Sequence, residues 1–177
     1  QSWGNPVPLA GVTLTGVWGS AENDVWAVGQ GGSMYHYTGS SWQAMPQAGH
    51  EFSAVAGASA SRVWAVTTGG AILHWNGVGW TIQATVAASL NALWVGDELN
   101  AFAAGDAGAV RRYDGSTWRM PTSPTGQRIL SVAGNSISDL WLGTSTGLVY
   151  GYDGSTFRQV GSLGAAVQAL YTGSPGT

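Results

Sequence analysis

The side chains able to do acid–base chemistry are few. The nine acids are Glu22, Asp24, Glu51, Asp97, Glu98, Asp106, Asp114, Asp139 and Asp153. Glu22 and Asp24 share one loop, and Asp97 and Glu98 share the corresponding loop two repeats further on. Paired carboxylates of this kind serve glycoside hydrolysis when they flank a scissile bond. Nothing else catalytic recurs beside them, so they read as solvated loops. His36 and His74 occupy one column of the repeat, followed by Arg112 and Gly151. Two imidazoles in different repeats make no metal site by themselves. No His-x-x-x-His pair, Asp-rich calcium loop or Gly-Lys-Ser/Thr phosphate loop occurs. No histidine is placed to activate a serine. With no Cys, a disulfide scaffold, a thiolate metal site and a Cys nucleophile are excluded. We expect no catalysis, no metal and no cofactor.

Aromatic side chains are the better prospect for recognition. The chain holds ten Trp among 177 residues, and only 8% of it is charged, against a usual figure of about 25%. A weakly charged, Trp-rich surface with Asn, Ser, Thr and Gln suits neutral sugars. An aromatic face meets the C–H face of a sugar ring, and polar side chains bond its hydroxyls. Trp18, Ala56, Trp94, Ala133 and Tyr171 form one column that alternates large and small. Trp18, Trp94 and Tyr171 are therefore the first ligand-binding candidates, with Trp75 and its neighbour His74 next. Taper-filling around a central axis is the structural alternative. Arg111-Arg112 beside Tyr113 is the single basic cluster. A net charge of −3, with six Arg and no Lys, argues against a nucleic-acid partner. No run of 18 apolar residues is present, so no membrane span is expected.

The elements that position these residues come from a repeat. Leu14, Phe52, Leu90, Ile129 and Val167 begin matching segments spaced 38, 38, 39 and 38 residues apart. Trp26, Trp64, Phe102 and Trp141 form a second column. Tyr37, Trp75, Tyr113 and Tyr152 form a third, and Trp3, Trp42, Trp80, Trp118 and Phe157 a fourth. Each repeat reads as four short strands, a to d. In the first, a is Leu14 to Trp18, b is Asp24 to Gly29, c is Met34 to Tyr37, and d starts near Trp42. Asn76-Gly77, Asp114-Gly115 and Asp153-Gly154 at the c–d connection predict two-residue type I′ hairpins. Helical periodicity is missing throughout. Four-stranded antiparallel units repeating every 38–39 residues predict an all-β fold, the β-propeller.

Asp24-Val25-Trp26-Ala27-Val28-Gly29, then Gly32, then His36-Tyr37-Thr38-Gly39-Ser40-Ser41-Trp42 resembles the blade of bacterial secreted and surface propellers. Arg62-Val63-Trp64-Ala65-Val66 with Gly70, and Tyr113-Asp114-Gly115-Ser116-Thr117-Trp118, extend the likeness over nearly the whole chain. The pattern is similar to that of photosystem-assembly-factor-like and lectin propellers. The resemblance implies the fold and an extracellular or cell-surface location. It says little of function, because propellers host lectins, enzymes and scaffolds alike.

Counted in strands, the chain is d, then four times abcd, then a. Residues 1–13 hold an orphan d strand, 14–51, 52–89, 90–128 and 129–166 four blades, and 167–177 an orphan a strand. No basic-then-apolar leader follows Gln1. Such ends are those of a piece of a larger propeller, of an open array completed by a second copy, or of a five-blade ring with one reduced blade. Exposed blade sides and strand edges favour self-association or additional blades in a parent chain. Carbohydrate binding is the lead expectation for function. A protein-interaction or structural module is the alternative, since the polar set that a multi-site lectin should repeat is not evident.

Overall fold

The computed structural model describes residues 11–172. Sixteen strands form four sheets, each a meander of four antiparallel neighbours. The first sheet is β1 (Leu14–Ala21), β2 (Asp24–Gly29), β3 (Met34–Tyr37) and β4 (Trp42–Ala44). The second is β5 (Phe52–Ser59), β6 (Arg62–Thr67), β7 (Ala71–Trp75) and β8 (Trp80–Thr85). The third is β9 (Leu90–Val95), β10 (Ala101–Gly105), β11 (Val110–Tyr113) and β12 (Trp118–Arg119). The fourth is β13 (Ile129–Ser136), β14 (Asp139–Thr144), β15 (Leu148–Tyr152) and β16 (Phe157–Ser162). These are four propeller blades, with no α-helix among the described residues.

The first strand runs further than the sequence predicts. Ala21 pairs with Asp24, so the polar loop shrinks to Glu22-Asn23. The c–d hairpins are two-residue loops, but not of type I′. Gly77, Gly115 and Gly154 have φ of 92°, 91° and 95°, while the residues on either side keep negative φ. Type I′ needs positive φ at both central positions; one glycine-first position is the II′ pattern. The Asp or Asn stands before the loop and caps it. Asp153 Oδ1 accepts the backbone N–H of Ser155 and Thr156 at 2.9 and 2.8 Å, and Asp114 and Asn76 do the same in their blades.

One glycine column is dictated by a close approach. Gly32, Gly70 and Gly108 close the b–c turns with φ of 73°, 80° and 69°. The segment leading to the next blade passes over them, so that a Cβ at Gly70 would lie 2.0 Å from the Val86 carbonyl oxygen. The backbone N–H groups of Gln47 and Val86 bond the carbonyls of Gly32 and Gly70, both at 2.9 Å.

The hydrophobic cores lie between blades rather than within them. Three clusters occupy the three seams. Cross-strand register sorts each blade into two faces. The front face of the first blade carries the row Trp18, Trp26, His36 and Gln43. The back face of the second carries Gly57, Val63, Trp75 and Trp80. Front meets back at every seam. Trp26 packs against Trp75 and Trp80 with centroids at 5.0 and 5.2 Å. Trp64 packs against Tyr113 and Trp118, and Phe102 against Tyr152 and Phe157.

A polar staple accompanies each of the three seams near the start of the inner strand, and a fourth bonds the segment after the last blade. Thr15 Oγ1 donates to the Phe52 carbonyl at 2.8 Å, and Ser53 Oγ to Leu90 at 2.5 Å. Asn91 Nδ2 donates to Ile129 at 3.0 Å, and Ser131 Oγ to Val167 at 2.8 Å.

Of the two orphan strands, the one containing Trp3 lies outside the described residues. The expected strand over 167–171 does not form a ladder. Among the described residues no second strand stands beside it to pair with. Only its first residue keeps the place that the repeat assigns: Val167 is buried, and its N–H bonds the Thr144 carbonyl at 3.0 Å.

Candidate functional site

The aromatic ligand candidates do not converge on one site. Trp75 is buried in the first seam and donates its indole N–H to the Ala60 carbonyl at 3.2 Å. Trp18 lies half-buried in the same seam, over Gly57, where a Cβ would come within 2.7 Å of its Cη2. Trp94 is half-buried in the third seam and donates to the Gly134 carbonyl. His74 tilts over Trp64 in the second seam, with centroids 4.2 Å apart and Nε2 buried without a partner. Burial, helped by the Arg62 charge, pushes its pKa below the usual imidazole value. Tyr171 is fully presented to solvent, 90% exposed.

Three of the four paired loop carboxylates are engaged. Asp24 bonds Ser20 and the His36 ring. Asp97 accepts from the side chain of Asn100 and the backbone of Leu99, which hold its carboxyl below the usual range. Glu98 pairs with Arg62 and Ser59 across the second seam. The expectation that no Gly-x-Ser-x-Gly spacing occurs is corrected by the sequence itself: Gly143-Thr144-Ser145-Thr146-Gly147 closes the β14–β15 hairpin. A nucleophile elbow joins a strand to a helix; here both flanks are strands, and Ser145 N–H bonds the Arg128 carbonyl. Among the described residues no three metal-ligating side chains gather.

The site that stands out is the front face of the fourth blade. Its row is Ala133, Trp141, Gly151 and Arg158. The counterparts of Trp141 are fully covered: Trp26 is 0%, Trp64 1% and Phe102 0% exposed. Trp141 is only half-buried, because no following blade packs on it among the described residues. A cavity of about 400 Å³ opens there, walled by Asp139, Trp141, Gly151, Tyr152, Asp153 and Arg158.

The fourth blade also lacks something of its own. In the other blades the residue paired with the b-strand aromatic carries a flat, nitrogen-bearing group. These residues are His36 opposite Trp26, His74 opposite Trp64 and Arg112 opposite Phe102. His36 stacks on Trp26 at 4.0 Å with planes 8° apart, and its Nε2 lies 2.5 Å from Asp24 Oδ1. Opposite Trp141 stands Gly151. The carboxylate of the first blade is nonetheless repeated: Asp139 is the counterpart of Asp24. Its Oδ2 is held by Asn135 at 2.8 Å, as Asp24 Oδ2 is by Ser20, and its Oδ1 accepts the Trp141 indole N–H at 3.0 Å. At the rim, backbone N–H bonds from Thr156 and Ser155 hold the Asp153 carboxyl far below its usual range, so it stays ionised.

A second opening of about 430 Å³ lies between the second and third blades, walled by Val86, Asp106, Ala107, Arg111, Met120 and Ser123. Ala107 there has φ of 53°, the sole non-glycine residue in the left-handed region among those described. Asp106 is tied to Arg128 and Asn91, and Arg111 to the Val110 carbonyl, so the walls are internally paired.

No family model and no curated protein matches this chain. Solved propellers do match in shape. The WD40 repeats of RRP9 superpose with a TM-score of 0.73 at 11% identity, covering 89% of this chain and 56% of that one. U3-55K gives 0.75 at 12%, covering 89% and 57%. YCF48, solved bound to a D1 peptide, gives 0.68 at 14%, covering 84% and 54%. At such identities the likeness establishes the β-propeller fold. The chain spans a little over half the length of each of these structures.

Proposed function

We propose that this chain is a non-enzymatic protein-interaction module and that the front face of its fourth blade is the docking surface. One observation carries this reading: Trp141, whose three counterparts are sealed in seams, lies half-open on a face rimmed by Asp139, Asp153 and Arg158. An apolar patch with a polar rim is the ordinary form of a protein interface. Support comes from the fold neighbours, one of which was solved with a peptide bound. The same face accepts a further blade, from a longer chain or a second copy. An extracellular or cell-surface setting belongs to the proposal through the sequence resemblance alone.

Glycan binding is the second reading. Tyr171 favours it, being a fully presented ring. Against it stands the fate of a polar set that recurs: Thr15, Ser53 and Asn91 are consumed in the three seams, and Ser131 by the Val167 carbonyl.

The test is a photo-crosslinker placed at Val160, on the exposed wall of the face, used in extracts of the source cells beside a glycan array. We expect one polypeptide adduct that Trp141→Arg removes, and a blank array. Saturable glycan binding without an adduct would overturn the proposal.

A further inference from the structure

We propose that the cavity in the second seam binds a small organic carboxylate with an apolar body, and that Arg111 holds its anionic end. The site lies between two described blades, away from the docking face, and does not depend on that reading. Strand alternation separates the Arg111-Arg112 pair. Arg111 faces back, toward the second blade, and Arg112 forward, toward the fourth. In the first and third seams the position of Arg111 is taken by Leu73 and Tyr150, which are 2% and 6% exposed and belong to the seam cores. Among the three seams only the second places a guanidinium there. The opening has a physical cause. β12 holds two residues where β8 and β16 hold six. Pro121 has no N–H to offer a longer ladder, and the chain turns off at Met120, which is 74% exposed. The outer flank of Arg111 is thus left uncovered, between Met120 and the 86–88 linker.

The charge balance selects an anion. Asp106 in the wall is neutralised by Arg128, 2.8 Å from its Oδ1, and bonded by Asn91 at 2.7 Å. Arg111 spends one donor on the Val110 carbonyl at 2.7 Å and makes no ion pair among the described residues. Its charge therefore sets the sign of the cavity, and the remaining donors of its planar fork fit a carboxylate. The walls choose the rest of the ligand. Val86, Ala88, Ala107, Met120 and Pro121 offer apolar surface. The N–H groups of Val86, Asp106 and Ala109 are spent on the carbonyls of Gly70, Ser89 and Asp106, all at 2.9 Å. Ser123 Oγ is spent on the Gly108 and Thr125 carbonyls. A peptide strand would not find these donors free, whereas a molecule whose polarity is confined to one carboxylate does not need them. A volume of about 430 Å³ lies in the range of small-ligand sites. Ala107 points to the same use. The first blade has Gly31 at this turn, with φ of 64°; the third holds alanine at 53° and so adds a methyl to the cavity wall at a backbone cost.

The test uses the 177-residue chain labelled at its methionine methyls, with hexanoate, hexanamide and hexylammonium as probes. The Met120 methyl resonance, assigned through Met120→Leu, is followed by NMR together with the Ala107 amide. We expect hexanoate alone to shift both saturably, and added salt to weaken its binding. Arg111→Leu, which copies Leu73 of the second blade, should weaken hexanoate binding by about tenfold or more. Arg111→Lys should keep part of it, since the charge stays and the fork goes. Equal shifts by all three probes, no shift with hexanoate at its solubility limit, or undiminished binding in a folded Arg111→Leu variant would overturn the site. If Arg111→Leu fails to fold, Arg111→Gln serves instead, and undiminished hexanoate binding there overturns it equally.

Discussion

The indole N–H of Trp94 reaches across the third seam to the Gly134 carbonyl, 2.9 Å away in the next blade. Trp18 makes the corresponding reach over Gly57. The large–small alternation of the Trp18, Ala56, Trp94, Ala133 column is therefore matched one position along. The facing column reads Gly57, Val95 and Gly134, with glycine where the preceding blade brings tryptophan and valine where it brings Ala56.

Trp94→Ala should consequently destabilise the fold. Removing a packed indole costs about 3 kcal/mol, and the orphaned carbonyl adds to the loss. Trp94→Phe should cost less, because the seam stays filled while the hydrogen bond, worth about 1 kcal/mol, goes. Urea unfolding of both variants, followed by circular dichroism, checks the order. Equal stability of all three proteins would contradict it.

The staples admit a cleaner test. Ser53→Ala removes one hydroxyl, which donates to the Leu90 carbonyl and also reaches the Val66 carbonyl at 3.1 Å. The expected loss is about 1 kcal/mol, read as a lower urea midpoint at unchanged slope.

Backbone conformation predicts opposite signs at adjacent residues. Ala107 holds φ of 53°, a region that costs an ordinary residue about 1–2 kcal/mol. Ala107→Gly relieves this, and its net effect should be a small gain after the added chain entropy. Gly108→Ala should be severely disruptive, since its Cβ would stand 1.7 Å from the Thr125 carbonyl oxygen. Thermal melts of the two variants should move in opposite directions.

Acid should weaken the hairpins. The Asp153 carboxyl is depressed from 3.8, mainly by the Thr156 and Ser155 bonds. Stability from a depressed carboxylate is present above the unfolded value and is lost as pH falls from there through the folded one. The window thus opens near pH 3.8 and extends downward. Asp153→Asn, copying Asn76 of the second blade, should keep the cap and flatten that part of the pH–stability curve. His74 acts in a higher window. Its folded pKa is lowered from 6.5, so protonation favours the unfolded chain and stability falls as pH drops below 6.5. Replacing His74 with Gln should remove that slope.

The blades were legible because identical seams demand identical aromatics. Trp26, Trp64 and Phe102 face the same neighbours and so recur at a fixed interval. The hairpin type was misread because Asp-Gly fits two registers of a turn, and only the single positive φ tells them apart. The staples escaped notice because their column reads Thr, Ser, Asn and then slips by one residue to Ser131. Gly151 was visible as the odd member of the His36, His74, Arg112 column. The exposure it leaves beside Trp141 shows only in the structure, where no blade follows the fourth among the described residues.

The placement of every core between blades gives the molecule the energetics of a short one-dimensional lattice. Among the described residues each blade is coupled only to its neighbours, and the two middle blades hold two couplings where the first and fourth hold one. Opening should therefore run inward from the ends, as a zipper does. The amide protons of β6 and β10 should be the last to exchange with solvent, and each blade added to the array should steepen the cooperativity of the whole.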